Sequence, residues 1–235
     1  MPLRISTGSV SIDKTLEGGL NAGSVTLVYG EAETGKTTLA VQCAINCAQK
    51  GYKTLFVDCD GTFSVRRLSD VASVRLKDVV DLMIVMRPES FKEQTAVIDR
   101  LSEYVTQGFG LVIVDTFTSL YRLRVAESPN KTFELNRELN RQAACLAQTA
   151  RIRKIAVLAT SQVRSTMNDS DVGVEPVGTR VLKFWADTIV LLKPSEGTGL
   201  IRAVLEKTSK MVQPSSFALR IDKTGIHDTL GFVGS

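Results

Sequence analysis

The chain has 235 residues, of which 43% are hydrophobic and 23% charged, and a net charge of +4. That length carries one large α/β domain with a buried core and falls short of two. No apolar run approaches the ~20 residues that span a bilayer. The N-terminal MPLRISTGS lacks the charged and apolar regions of a signal peptide, so a cytoplasmic protein with no membrane partner is expected. The mild positive charge permits nucleic-acid binding, although a mixed-sign surface gives the same figure.

Taken in chain order, short apolar runs alternate with helical patterns. SVTLVYG (24–30) reads as a strand, Thr37 to Lys50 as a helix, and KTLFVDCD (53–60) and LMIVM (82–86) as strands. Phe91 to Gln107 reads as a helix and LVIVD (111–115) as a strand buried on both faces. Phe133 to Arg151 is expected to be a helix, with Leu135, Leu139, Ala143, Leu146 and Ala150 at helical spacing, followed by the strand KIAVLATSQ (154–162). ADTIVLL (186–192), LIRAVLE (200–206) and SFALRID (216–222) follow without helices between them, as antiparallel hairpins would. The alternating first part implies a mostly parallel central sheet with helices on both faces. Arg124 to Thr132 and Arg164 to Thr179 are polar, contain Pro and Gly, and show no apolar period, so both are read as long loops. The cysteines Cys43, Cys47, Cys59 and Cys145 form no CxxC pair and read as small thiols in a reducing compartment.

GEAETGKT (30–37) fits GxxxxGK[ST] and lies between a predicted strand and a predicted helix. Gly30 and Gly35 permit the tight turn, and the amides of Glu31, Ala32, Glu33 and Thr34 then form an anion nest at a helix N-terminus. Lys36 places a cation on the β- and γ-phosphates, the Thr37 hydroxyl ligates Mg2+, and Thr38 follows in the first helical turn. ATP with Mg2+ is the implied cofactor. Asp115, closing a buried strand, has the setting of a carboxylate that orients Mg2+ through water. Asp58 and Asp60 close the neighbouring strand, and either is placed to position an attacking water. Gln162, ending the next strand, is a neutral amide suited to sensing the γ-phosphate.

These motifs together resemble the RecA/RadA recombinase family: STGSVSIDKTLEGGL before the loop, VDCDGTFSVRRL, VDTFTSLYR, ELNRELNRQ followed by TSQV, and DKTGIHD near the end. Within it the chain resembles the short archaeal RadB paralogues. The resemblance implies a RecA-type P-loop ATPase core over residues 1–235, with no room for an N-terminal helix-hairpin-helix domain or a polymerisation linker. It implies that Arg67 packs against adenine, that Asp60 and Gln162 join Lys36 in catalysis, and that the two polar stretches are DNA-binding loops. Arg122, Arg124 and Lys131 belong to the first, and Arg164 and Arg180 flank the second. The implied partners are DNA, single-stranded rather than duplex, and a RadA-like main recombinase or other repair proteins. A homo-oligomer stays open; a long self-filament is not expected.

The departures predict ATP binding with slow hydrolysis. The family's catalytic glutamate is Asp60 here, one methylene shorter, and Glu33 puts an acid near the phosphates. A KaiC-like regulatory ATPase acting on protein partners, or a nucleotide-dependent scaffold without turnover, are the competing expectations.

Overall fold

The structure, a computed structural model, describes residues 3–72, 76–168, 171–176, 178–208 and 214–229; for 164–168, 171–176 and 179 it describes the backbone alone. The chain opens with β1 (Arg4–Ile5), helix α1 (Val10–Thr15) and β2 (Leu20–Asn21), the two strands pairing antiparallel. β3 (Val25–Gly30) then runs through the glycine-rich turn into α2 (Lys36–Gln49). Next come β4 (Lys53–Asp58), α3 (Val65–Val71), α4 (Leu76–Val80), β5 (Met83–Met86), α5 (Phe91–Asp99), α6 (Leu101–Tyr104) and β6 (Phe109–Asp115). The second half holds α7 (Ser119–Glu127), a 3-10 turn at Pro129–Lys131, α8 (Thr132–Arg153), β7 (Ala156–Asn168), β8 (Asp171–Pro176) and α9 (Thr179–Trp185). It ends with β9 (Thr188–Pro194), β10 (Leu200–Lys207), β11 (Ser215–Asp222) and β12 (Gly225–Asp228).

The sheet order is β12-β11-β10-β9-β3-β7-β6-β4-β5, with β8 added to β7. From β9 to β5 all neighbours are parallel, and from β9 to β12 all are antiparallel. This is the expected α/β class: β9, β10 and β11 form the expected antiparallel hairpins, and β9 joins them to the sheet by pairing parallel with β3. Period-two alternation splits the core. Leu27, Tyr29, Val112 and Val114 face one side, against α5 to α9, while Val28, Leu111 and Ile113 face the other, against α1 to α4. Both faces being covered explains why β3 and β6 read as continuous apolar runs. Among the described residues no helix is long and apolar enough to cross a membrane.

Three expectations change. The helix expected over Phe91 to Gln107 is interrupted at Arg100 and stops at Tyr104, ahead of a turn at Gly108, whose φ is 93°. Arg124 to Thr132 is not a loop: it is the end of α7, the 3-10 turn and the start of α8. α7 buries only Leu120 and Tyr121, so it leaves no extended apolar period to read. Most of Arg164 to Thr179 is ribbon, because β7 continues past Gln162 and pairs antiparallel with β8, Val163 opposite Pro176 and Asn168 opposite Asp171.

Candidate functional site

The site forms where the parallel strands end together. Register sets Gly30 of β3 level with Gln162 of β7, and Asp58 of β4 level with Asp115 of β6. Ligand crevices in such sheets lie outside these carboxyl ends. Here they open into a cavity of about 630 Å³ lined by Gly30, Ala32, Glu33, Gly35, Lys36, Thr37, Thr38, Asp60, Thr62, Arg67, Thr116, Gln162, Val163 and Ile221. The volume suits a nucleotide-sized ligand. Most of the phosphate-binding residues expected from the motif therefore share one cavity. Glu31 and Thr34 instead shape the turn, Thr34 Oγ1 donating to the Glu31 carbonyl at 2.9 Å.

Gly35 caps α2 in the left-handed region, φ 90°, and a Cβ there would sit 2.5 Å from Ile221 Cδ1. Glycine adopts this φ without strain and leaves Ile221 in place. Glu33 adopts φ 63° without being glycine. Lys36 is 9% exposed, and its ammonium donates to the Glu31 carbonyl at 2.5 Å. Burial lowers its pKa, opposed by the carboxylates of Asp115, Asp60 and Glu31.

Asp115 is fully buried, next to Thr116 of the cavity lining. Burial raises its pKa, while the Thr160 hydroxyl, which donates to Oδ1, favours the charged form. The Thr37 hydroxyl acts in the same direction without reaching a well-formed hydrogen bond, and the nearby charges of Asp60 and Asp58 oppose it. Oδ2 has no hydrogen-bond partner, and the peptide to Thr116 is cis. A buried carboxylate oxygen without a donor beside a threonine hydroxyl fits a hard cation, so Asp115 and Thr37 suit Mg2+.

The two aspartates closing β4 separate clearly. Asp58 is fully buried and is consumed by structure: Arg87 pairs with Oδ2 at 2.8 Å, and the amides of Thr62 and Phe63 donate to it. Asp60 is exposed to the cavity. Its Oδ1 accepts from Thr62 Oγ1 at 2.8 Å and its Oδ2 from Thr116 Oγ1 at 2.9 Å. Of the pair, only Asp60 is available to a ligand.

Gln162 lies within β7 rather than at its end, and Arg122 Nη1 donates to its Oε1. Arg122 therefore reaches the cavity lining from α7. Arg67 lines the cavity from the first turns of α3, whose N-cap is Ser64. Arg124 pairs with Glu127 at 3.1 Å, and Lys131 and Arg180 are exposed away from the cavity. The Arg164 side chain lies outside the described residues.

Sequence reasoning missed Thr62, Ile221, Arg87 and the Arg122 contact. Thr62 stands in the GTF motif, which is a signal. Ile221 and Arg87 arrive by long-range packing, for which the sequence holds no local signal.

The Rad51 family model matches residues 2–229. The chain belongs to the Rad51 family. Within it the chain is RadB-like. It is 34% identical over 227 residues to the DNA repair and recombination protein RadB of Methanothermobacter thermautotrophicus, covering 95% of each chain. It is 35% identical over 196 residues to the RadB of Methanocaldococcus jannaschii, covering 83% of this chain and 89% of that one. The crystal structure of the RadB recombinase superposes with a TM-score of 0.82 at 33% identity, covering 96% of this chain and 99% of that chain. The RadB-like chain thus carries its P-loop, Asp60, Asp115 and Gln162 on a Rad51-type sheet.

Proposed function

We propose that this RadB-like chain binds ATP with Mg2+, hydrolyses it slowly, and works in DNA repair and recombination as a DNA-binding mediator that assists a RadA-like recombinase. The observation that carries the nucleotide part is the buried, donor-free Oδ2 of Asp115, whose carboxylate interacts with Thr37 and Lys36 of the cavity lining. The names of the relatives, DNA repair and recombination proteins, support the rest. Residues 1–235 act as one RecA-like core in this reading.

Each residue then has a task. The loop amides and Lys36 hold phosphate oxygens. Thr37 and Asp115 hold Mg2+, which supplies charge neutralisation on the phosphates. Arg67 lies against the base. Asp60 orients the attacking water, and Gln162 senses the terminal phosphate. Slow turnover follows from two features. Asp60 is shorter than glutamate, and both its oxygens already accept hydroxyl hydrogen bonds that a water must displace. Glu33 adds a repelling acid at the cavity wall.

ATP turnover with and without single-stranded DNA, measured beside Lys36→Ala, tests this. Slow turnover that responds to DNA and vanishes in the variant is expected. Activity retained in Lys36→Ala would remove the site assignment. No rise in anisotropy of a labelled oligonucleotide at low salt, with or without ATP, would remove the DNA part.

A further inference from the structure

The charged stretches read from the sequence as DNA loops contain few aromatic groups, yet two of the most exposed large hydrophobic side chains among the described residues stand beside them. Phe133 in the first turn of α8 is 75% exposed, and Phe184 in α9 is 73% exposed. Burying either would recover apolar surface, so leaving both in water asks for an occupant.

The two rings belong to one continuous face. Phe133, Arg137 and Asn140 recur at i, i+4 and i+7 along α8, which sets them on one side of the helix over about 10 Å. Asn140 Oδ1 accepts from Trp185 Nε1 of α9 at 2.9 Å. Trp185 in turn meets Phe184 edge-to-face, ring centroids 5.1 Å apart. Leu182, between Arg180 and Phe184, is buried, so Arg180 and Phe184 at i, i+4 share the outer side of α9. Each phenylalanine is thus accompanied by an arginine on its own helix face.

Charge selects the occupant. Arg137 and Arg180 make no ion pair or hydrogen bond among the described residues, although Glu134 lies one turn from Arg137. The next arginine on α8, Arg141, is fully engaged by Asp99 and Glu138. Guanidinium groups unpaired among the described residues, beside exposed rings, match a polyanion that also carries flat apolar faces.

We propose that the α8–α9 face is a base-stacking platform for single-stranded DNA, with Phe133 and Phe184 taking bases and Arg137 and Arg180 taking phosphates. This rests on the reading that the chain binds DNA, and it moves the aromatic contacts from the polar stretches onto two packed helices. Rigid rings lose little conformational entropy on contact, which is why helices serve better here than loops.

The test is an anisotropy titration of the full chain with a fluorescein-labelled oligothymidylate at several salt concentrations. Phe133→Ala and Phe184→Ala are each expected to weaken binding about 5- to 100-fold without changing the salt slope. Arg137→Ala should lower that slope by about 0.7. Phe133→Tyr, which keeps a stacking ring, should bind like the parent. Trp185, the only tryptophan, should be quenched on binding, and Phe184→Ala should reduce the quench. If the parent chain does not bind the oligonucleotide, the DNA reading fails and the platform with it. If the parent binds and both alanine variants bind equally well, only the platform fails. If the variants keep DNA affinity but change the sedimentation of the DNA-free chain, the face is a contact between copies, and the proposal is overturned.

Discussion

The strand-end cavity and the charged surface from α7 to α9 use charge in opposite ways. At the strand ends Asp58 and Asp115 are 0% exposed and Lys36 is 9% exposed. A charge so far from water is tolerable only when specific partners replace its hydration; named groups pin Asp58 and Lys36, while Asp115 is held at Oδ1 by Thr160 and keeps Oδ2 free among the described residues. On the α7–α9 side, Arg124 pairs only with exposed Glu127, and Lys131, Arg137 and Arg180 stand in solvent. Exposed charges need no partner, and their pairs contribute little to stability. Substitutions at the first region should therefore change the fold or the chemistry strongly, and at the second should change association while the fold persists.

The largest effect expected lies at Arg87. Replacing it by alanine leaves Asp58 buried with two amide donors and no cation. Removing one partner of a buried pair costs about 3 to 5 kcal/mol, and the half-exposed position of Arg87 places the expected loss near the lower bound, read as a shift of the urea midpoint. Asp60→Asn, two residues along the chain but exposed, should leave the stability within about 0.5 kcal/mol of the parent. Equal destabilisation by the two would dissolve the distinction between them. A smaller change is expected from Asp60→Glu, which restores the family's longer carboxylate. Turnover should rise about tenfold, measured by phosphate release at saturating ATP. An unchanged rate would mean that the water is held elsewhere.

Legibility followed the same division. The P-loop could be read because its chemistry dictates residue types at fixed spacing in a strand–turn–helix context, and Gly35 shows why: its φ lies in the left-handed region that favours glycine, and a Cβ there would also crowd Ile221. Asp115 could be read because β6 is buried on both faces. The residue pattern alone left Asp58 and Asp60 both open, and only the family resemblance favoured Asp60, since their difference is made by Arg87 arriving from the end of another strand. The α7–α8 segment was misread because Leu120 and Tyr121 alone carry its burial, too few to set a period. The ribbon was misread because its apolar positions alternate with polar ones inside a Gly- and Asp-containing stretch that resembles a loop in composition.

Arg122 crosses between the two regions and sharpens the contrast. It is rooted in α7, yet it donates to Gln162. As a coupling residue rather than a phosphate contact, its loss should change ATP turnover in the presence of single-stranded DNA by about fivefold, with the salt slope of DNA binding unchanged. A slope reduced by about 0.7 would instead make it an ordinary phosphate-binding cation.

The smallest effect concerns how the C-terminal hairpin, which brings Ile221 over Gly35, is fastened to the N-terminus. The Asp228 carboxylate accepts from the amides of Val10 at 2.6 Å and Ser11 at 3.0 Å, and from Ser9 Oγ at 3.0 Å. Burial pushes its pKa up, but these hydrogen bonds outweigh burial and hold it below the usual carboxylate value. A carboxyl group depressed in the fold stabilises while ionised. Its contribution is complete above the unfolded pKa of ~3.9 and disappears as pH falls through the lower folded value. Asp228→Asn should therefore cost about 1 kcal/mol at neutral pH, and the gap between variant and parent should close on acidification through that window. Urea midpoints of both chains at neutral pH and below the carboxylate range measure it. A gap that persists in acid would mean that the shape of the side chain, not its charge, joins the hairpin to α1.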